Sequence, residues 1–93
     1  MVTGIDLIKK EREEQINKHG RSLKYDALEN EHCELSLGAV MVIDADETLR
    51  PTNWDEKIIK KMVKKPYKER LIIAGALLAA ELDRLIAIEN NQL

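Results

Sequence analysis

Aromatic side chains are nearly missing from this 93-residue chain: Trp54, Tyr25 and Tyr67 are the whole set, and phenylalanine is absent. Its core must therefore come from Leu, Ile, Val and Ala, a composition that favours helices over a sandwich or barrel. A single cysteine, Cys33, excludes an internal disulfide and lacks the partners for a zinc cluster. It reads as a small residue packed between helices, and a reduced, cytoplasmic setting is the default expectation. Long apolar runs are lacking too. The longest uncharged stretch, Leu71–Ala80, falls far below the roughly 20 residues that cross a bilayer. It reads as a core helix, and no membrane partner is expected. No signal-peptide pattern opens the chain, because Met1-Val2-Thr3-Gly4 runs straight into charged sequence. The formal net charge of −2 shows no excess of either sign, so nucleic acid is not expected as a partner.

What is present is helical patterning over one domain, residues 1–93. Thr3 and Asp6 form a capping-box pair, and His19-Gly20 supplies a stop. Between them Ile5, Ile8, Arg12, Gln15 and His19 share one face, apolar at first and polar later. After a loop at Gly20–Tyr25, Asp26 and Glu29 cap a second helix that runs to about Ile43. Its seams are Leu28, Glu31, Leu35, Gly38, Val42 and, beside them, Ala27, Glu34 and Met41. Pro51 breaks the connection that follows. Thr52 or Asn53 can then cap a short helix through Lys64, with Trp54, Ile58, Ile59, Met62 and Val63 inward and its lysines as a solvated face. Pro66 suits the first turn of a last helix reaching about Glu89, with Ala74, Leu78, Glu81, Leu85 and Ile88 as its inner seam. That helix is apolar nearly all round from Leu71 to Ala80, which a 93-residue monomer cannot cover, so self-association is expected. The fold expectation is all-α: a bundle of three major helices plus one short helix, completed by oligomerisation.

Carboxylates on helix faces carry the chemistry. Glu31 and Glu34 lie three apart, on one side of the second helix, and Glu81, with Asp83 beside it, comes from the last. Glu31 and Glu81 interrupt apolar seams, where a lone carboxylate is costly. One solution is a shared divalent cation held between facing helices. The other is pairing with Arg12, Arg70 or Arg84. Asp44-x-Asp46 with Thr48 hints at a calcium loop, but Leu49 stands where glycine is needed and Asp55 where glutamate is, so that reading is rejected.

A family resemblance adds to this. The run Lys10-Glu11-Arg12-Glu13-Glu14-Gln15, then Lys18-His19-Gly20, then Asn30-Glu31-His32-Cys33-Glu34-Leu35, resembles the all-α nucleoside triphosphate pyrophosphohydrolases of the MazG type. There an E-R-x-x-Q helix precedes an E-x-x-E-L helix. Lys68 to Leu85, with Ala74-Gly75-Ala76 and Glu81-Leu82-Asp83-Arg84, is similar to the last helix of short, often phage- or prophage-borne, MazG-like proteins. The likeness covers roughly residues 8–36 and 68–85, and it implies a homodimer or homotetramer of packed helices. It also implies Mg²⁺, with Mn²⁺ as a substitute, bound through E-x-x-E and a later E-x-x-D, and cleavage of a nucleoside triphosphate to monophosphate and pyrophosphate. Glu31 and Glu34 match the first motif as metal ligands and catalytic carboxylates, and Glu81 is the third candidate ligand. Arg12, Lys18, His19 and Arg70 are candidate phosphate contacts, with Gln15 orienting a base or water. The second motif departs: arginine stands at position 84 where aspartate is expected, and an alignment on Ala74-Gly75-Ala76 would put Ile72 and Gly75 at the ligand positions. Either Glu81 serves with a different geometry, or metal-dependent hydrolysis is reduced or lost. The alternative function is a non-catalytic helical oligomer that binds a nucleotide or a protein partner.

Overall fold

A computed structural model describes residues 1–19 and 33–90, and all of the regular structure there is helical. The described residues form four α-helices: α1 Gly4–His19, α2 Glu34–Asp44, α3 Glu56–Val63 and α4 Tyr67–Glu89. A 3-10 turn, Glu47–Leu49, joins α2 to the approach of α3. The expected loop at Gly20–Tyr25 and the cap at Asp26 and Glu29 lie outside the described residues.

Local chemistry sets most helix ends. The Thr3 amide donates to Asp6 Oδ2 at 2.9 Å, and the Asp6 amide donates back to Thr3 Oγ1 at 3.2 Å, the reciprocal pairing expected of a capping box. α2 ends in a Schellman arrangement. The Ala45 amide donates to the Val42 carbonyl at 3.3 Å and the Asp46 amide to the Met41 carbonyl at 3.1 Å. Ala45 holds the left-handed conformation this requires, with φ 53°. Asp46 then accepts from the Thr48 amide and hydroxyl, at 3.0 and 2.6 Å, which starts the 3-10 turn.

Several expected boundaries move. The second helix was expected to run unbroken from Asp26, but Cys33 is left-handed, with φ 66°, and α2 begins one residue later. Cys33 is also exposed and so does not pack between helices as expected. The cap of α3 is Asp55, whose Oδ1 accepts from the Lys57 amide at 2.8 Å, not Thr52 or Asn53. Trp54 accordingly lies before α3, where its ring covers Gly38 of α2. A Cβ at Gly38 would run into that ring, so the close approach needs glycine. Pro66 sits at the N-cap of α4, one residue before the first turn.

The core forms where α2 packs on α4, with α3 closing one end. Leu35, Ala39, Met41 and Val42 meet Ile73, Ala74, Leu77 and Ala80, together with Ile59 and Met62. The buried face of α4 is Ile73, Ala74, Ala76, Leu77, Ala80, Arg84 and Ala87, which corrects the expected seam. Leu78, Leu85 and Ile88 point outward, each more than 40% exposed, as do Leu82 and Ile86. The physical reason is closeness of approach. Alanines let neighbouring helices lie against α4, so the smaller side chains face inward and the leucines beside them remain on the rim. α1 crosses the same helix at Gly75, where a Cβ would come within 2.5 Å of Ile8 Cδ1.

Both left-handed residues carry a Cβ that the conformation penalises, by about 1–2 kcal/mol. Ala45→Gly and Cys33→Gly are each expected to raise stability by about 0.5–1 kcal/mol, after glycine's own entropic cost. Urea unfolding should show a higher midpoint with an unchanged slope.

Acid acts in the other direction. Hydrogen bonds from Thr3 hold the Asp6 carboxyl below its ordinary range, and those from Thr48 do the same for Asp46. The unfolded chain binds these protons more readily, so both contributions are complete above about pH 4 and are lost as the pH falls through the depressed values. Melting temperature followed from pH 6 to pH 2 should drop below about pH 4, less steeply in Asp46→Asn.

Candidate functional site

The polar and charged residues buried among the described ones are Arg12, Gln15 and Arg84. Two of them, Arg12 and Gln15, belong to the E-R-x-x-Q run. Glu81 and Arg84, one turn apart on α4, form an ion pair from Arg84 Nε to Glu81 Oε1, with side chains only 9% and 12% exposed. The Arg84 guanidinium is held in its charged form by that hydrogen bond first, against the opposing effect of burial. The charges of Glu81 and of Glu34 add to it. Arg84 is thus engaged by a carboxylate of its own helix. Arg12 reaches the same end of α4 from α1, its Nε lying 3.5 Å from Asp83 Oδ2.

This arrangement bears on the expected cation. Glu31 lies outside the described residues, and the left-handed backbone at Cys33 ends the helical register one residue before Glu34. Glu34 is half-buried at the first turn of α2. Glu81 gives its carboxylate to Arg84. Its Oε1 is thereby engaged by a guanidinium, and a dication sharing that carboxylate would feel the neighbouring positive charge. Among the described residues no three His, Cys, Asp or Glu side chains gather where they could hold a metal.

The candidate phosphate contacts are spread apart. Arg70 donates from Nε to the Lys65 carbonyl at 3.0 Å and from one Nη to the carbonyls of Val42 and Ile43, at 3.3 and 2.8 Å. It stacks over Tyr67, 5.5 Å from the ring centre. Arg70 is thus a cap for the C-terminal carbonyls of α2, supplied from α4. The backbone of His19 ends α1, and its side chain, like that of Lys18, is outside the description.

Gln15 was expected beside Arg12, but it lines a separate cleft between α1, α3 and α4, of about 580 Å³. Ile72 and Ile73 of α4 lie roughly 12 Å along the helix from Glu81, at 1.5 Å per residue, and form the floor with Met62. Gln15 is 4% exposed, and its Nε2 donates to Glu11 Oε2 at 3.3 Å. Its Oε1 is buried and meets no hydrogen-bond donor among the described residues, a state that costs roughly 1–3 kcal/mol. A lone Gln in a polar half-helix gave no sign of this in the sequence; nor did the lysines that face it across the cleft.

Comparison with protein-family models, curated proteins and solved structures finds no match to this chain. The site is accordingly read from its own chemistry.

If Arg70 is a structural cap, its loss shows without any ligand. Arg70→Met is expected to lower the stability of the nucleotide-free protein by about 1–3 kcal/mol, the range for hydrogen bonds to a charged group. Arg70→Lys should recover only part, since an ammonium cannot fork between the two sets of carbonyls. Thermal unfolding in phosphate-free buffer measures both.

Proposed function

We propose that this protein is a helical nucleotide-binding domain that works as a homodimer or homotetramer. Two activities are compatible with such a domain. Metal-dependent pyrophosphohydrolysis of a nucleoside triphosphate is supported by the E-R-x-x-Q and E-x-x-E-L likeness. Binding without hydrolysis is supported by the buried Arg84–Glu81 pair, and it is the reading we put first. A guanidinium already neutralises the carboxylate on which the second motif would depend, so the interior is electrically satisfied with no cation added. Two buried arginines and a buried amide nevertheless mark this interior as polar by design, and buried polar groups of this kind cluster at binding sites.

Self-association is supported by the outer face of α4. Leu78, Leu82, Leu85 and Ile86 form an exposed apolar stripe on one side of the helix. The molecule measures 20 Å through its shortest dimension, about two helix diameters. No described helix is long and apolar enough to cross a membrane, which leaves a protein surface as the natural cover.

One set of measurements tests the proposal. Light scattering should give a mass of at least twice 10.7 kDa; a monomer overturns the oligomer. Nucleoside triphosphates should raise the melting temperature in EDTA by as much as in Mg²⁺, and Mg²⁺ alone should not shift it. Glu81→Gln should lower the stability of the metal-free protein by about 1–3 kcal/mol, because Arg84 loses its charged partner. Pyrophosphate release in Mg²⁺ or Mn²⁺ that disappears in Glu34→Gln would reverse the order and establish the hydrolase. Absence of any nucleotide effect would overturn both readings.

A further inference from the structure

The cleft between α1, α3 and α4 is lined by charges of both signs. The α1 wall is acidic, with Glu11 and Glu14 flanking Gln15, and the other side carries Lys61 of α3, Lys65 just beyond it and Glu69 of α4. Between them lies the apolar floor of Met62, Ile72 and Ile73. Its volume, about 580 Å³, falls within the range of small-molecule sites. Glu69 pairs with Lys65 at 3.7 Å, and Glu11 is held by Gln15. Among the described residues, no ion pair engages Glu14 or Lys61. Gln15 is the most buried residue of the lining, and its amide oxygen is the group there that lacks a donor.

A ligand that suits this cleft has three parts. It offers N–H donors to the α1 wall, a flat apolar body to the floor and a negative charge to the lysines. A free anion fails the first requirement, because the glutamates would repel it. An alkyl amine fails the third. A nucleotide whose base bears an exocyclic amino group meets all three. The amino group donates to the Gln15 oxygen or to the neighbouring carboxylates, and the ring lies on Met62 and Ile72. The phosphate then meets Lys61 and Lys65. Uracil and thymine offer a single N3–H between two carbonyl oxygens, so on an acceptor-lined wall at least one oxygen faces an acceptor, whereas the cytosine amino group offers two N–H donors.

We infer that this cleft seats the base and phosphate of a nucleotide carrying an exocyclic amino group, and that Gln15 and the α1 carboxylates select it over uracil and thymine. The inference rests on the nucleotide-binding reading and adds a site and a base preference to it. CMP and UMP make the sharpest pair of probes, since they differ only in the 4-amino against 4-oxo group and the accompanying N3 acceptor against N3–H donor.

Calorimetric titration of the intact protein in EDTA is expected to show CMP binding at least about tenfold tighter than UMP. Lys61→Glu with Lys65→Glu, both on the exposed wall, should weaken CMP at least about tenfold while leaving the melting temperature nearly unchanged. Gln15→Met should reduce the preference for CMP over UMP. Equal affinity for CMP and UMP overturns the base preference, and lysine variants that bind CMP as the wild type does overturn the site. In either case the wild-type affinity itself still stands for the nucleotide-binding reading. If the wild type binds neither monophosphate nor any triphosphate, that broader reading fails with it. Should Gln15→Met not fold, the CMP and UMP comparison and the lysine variants still decide the matter.

Discussion

The packing of α2 on α4 is the contact on which the remaining structure is hung. With no phenylalanine available, stability has to come from many aliphatic contacts at short helix separation instead of a few large side chains. Ala39, Ala74 and Ala80 permit that separation, and Leu35 and Leu77 fill it. Other contacts then follow from the position of these two helices. Arg70 caps α2 because α4 carries it past the last carbonyls of that helix. Trp54 lies on Gly38 because the chain leaving α2 turns back over it. α1 rests on Gly75 for the same reason that α2 rests on the alanines: the backbone of α4 is bare there.

A core so dependent on small residues has little room for polar side chains, which makes the buried ones informative. Arg84 occupies the inner face of α4 in line with Ala80 and Ala87, so its charge had to be answered locally. Glu81, one turn earlier, answers it, and Glu34 adds to the same field. An arginine suits this place better than a metal ion would. Its planar charge is spread over several donors and is less strongly hydrated, so burial is less costly. Removing one member of such a pair is far worse than never having had it, because the other charge is left stranded. The pair therefore fixes the interior electrostatics of this end of the fold.

How much of this could be read in advance depended on the range of the interaction responsible. Thr3 with Asp6 was legible, as was the end of α4 at Glu89, because capping and termination act within one turn. The solvated lysine face of α3 was legible for the same reason. Three other features were not legible. Thr52, Asn53 and Asp55 are all competent caps, and only the seat of Trp54 on Gly38 makes Asp55 the one used. Cys33 and Ala45 adopt a conformation that glycine usually marks, so the chain carried no signal of either turn. On α4 a reading by hydrophobicity turned the leucines inward, whereas helix-to-helix distance turned the alanines inward. The candidate site split along the same line. Arg12 and Gln15, singled out as polar residues on a half-apolar face, are the buried residues of α1, whose other described side chains are exposed or half-buried. Their separation into an ion pair at Asp83 and a cleft at Ile73 depends on how α1 crosses α4.

The distribution of lysines argues further about what the surface is for. A basic helix that binds nucleic acid needs a continuous field, and here the field is repeatedly cancelled. Lys60 lies 3.3 Å from Glu56, Lys65 lies 3.7 Å from Glu69, and Arg50 reaches Glu56 at 3.7 Å. Such exposed pairs contribute little to stability, but they flatten the potential along α3. In the cleft Lys65 is answered in the same way by Glu69, which leaves Glu11 and Glu14 of α1 and Lys61 of α3 around an apolar floor. Low-dielectric walls concentrate a field that the open surface dissipates. The potential along α3 is thus flattened on its open side and keeps a separation of sign where the helices meet.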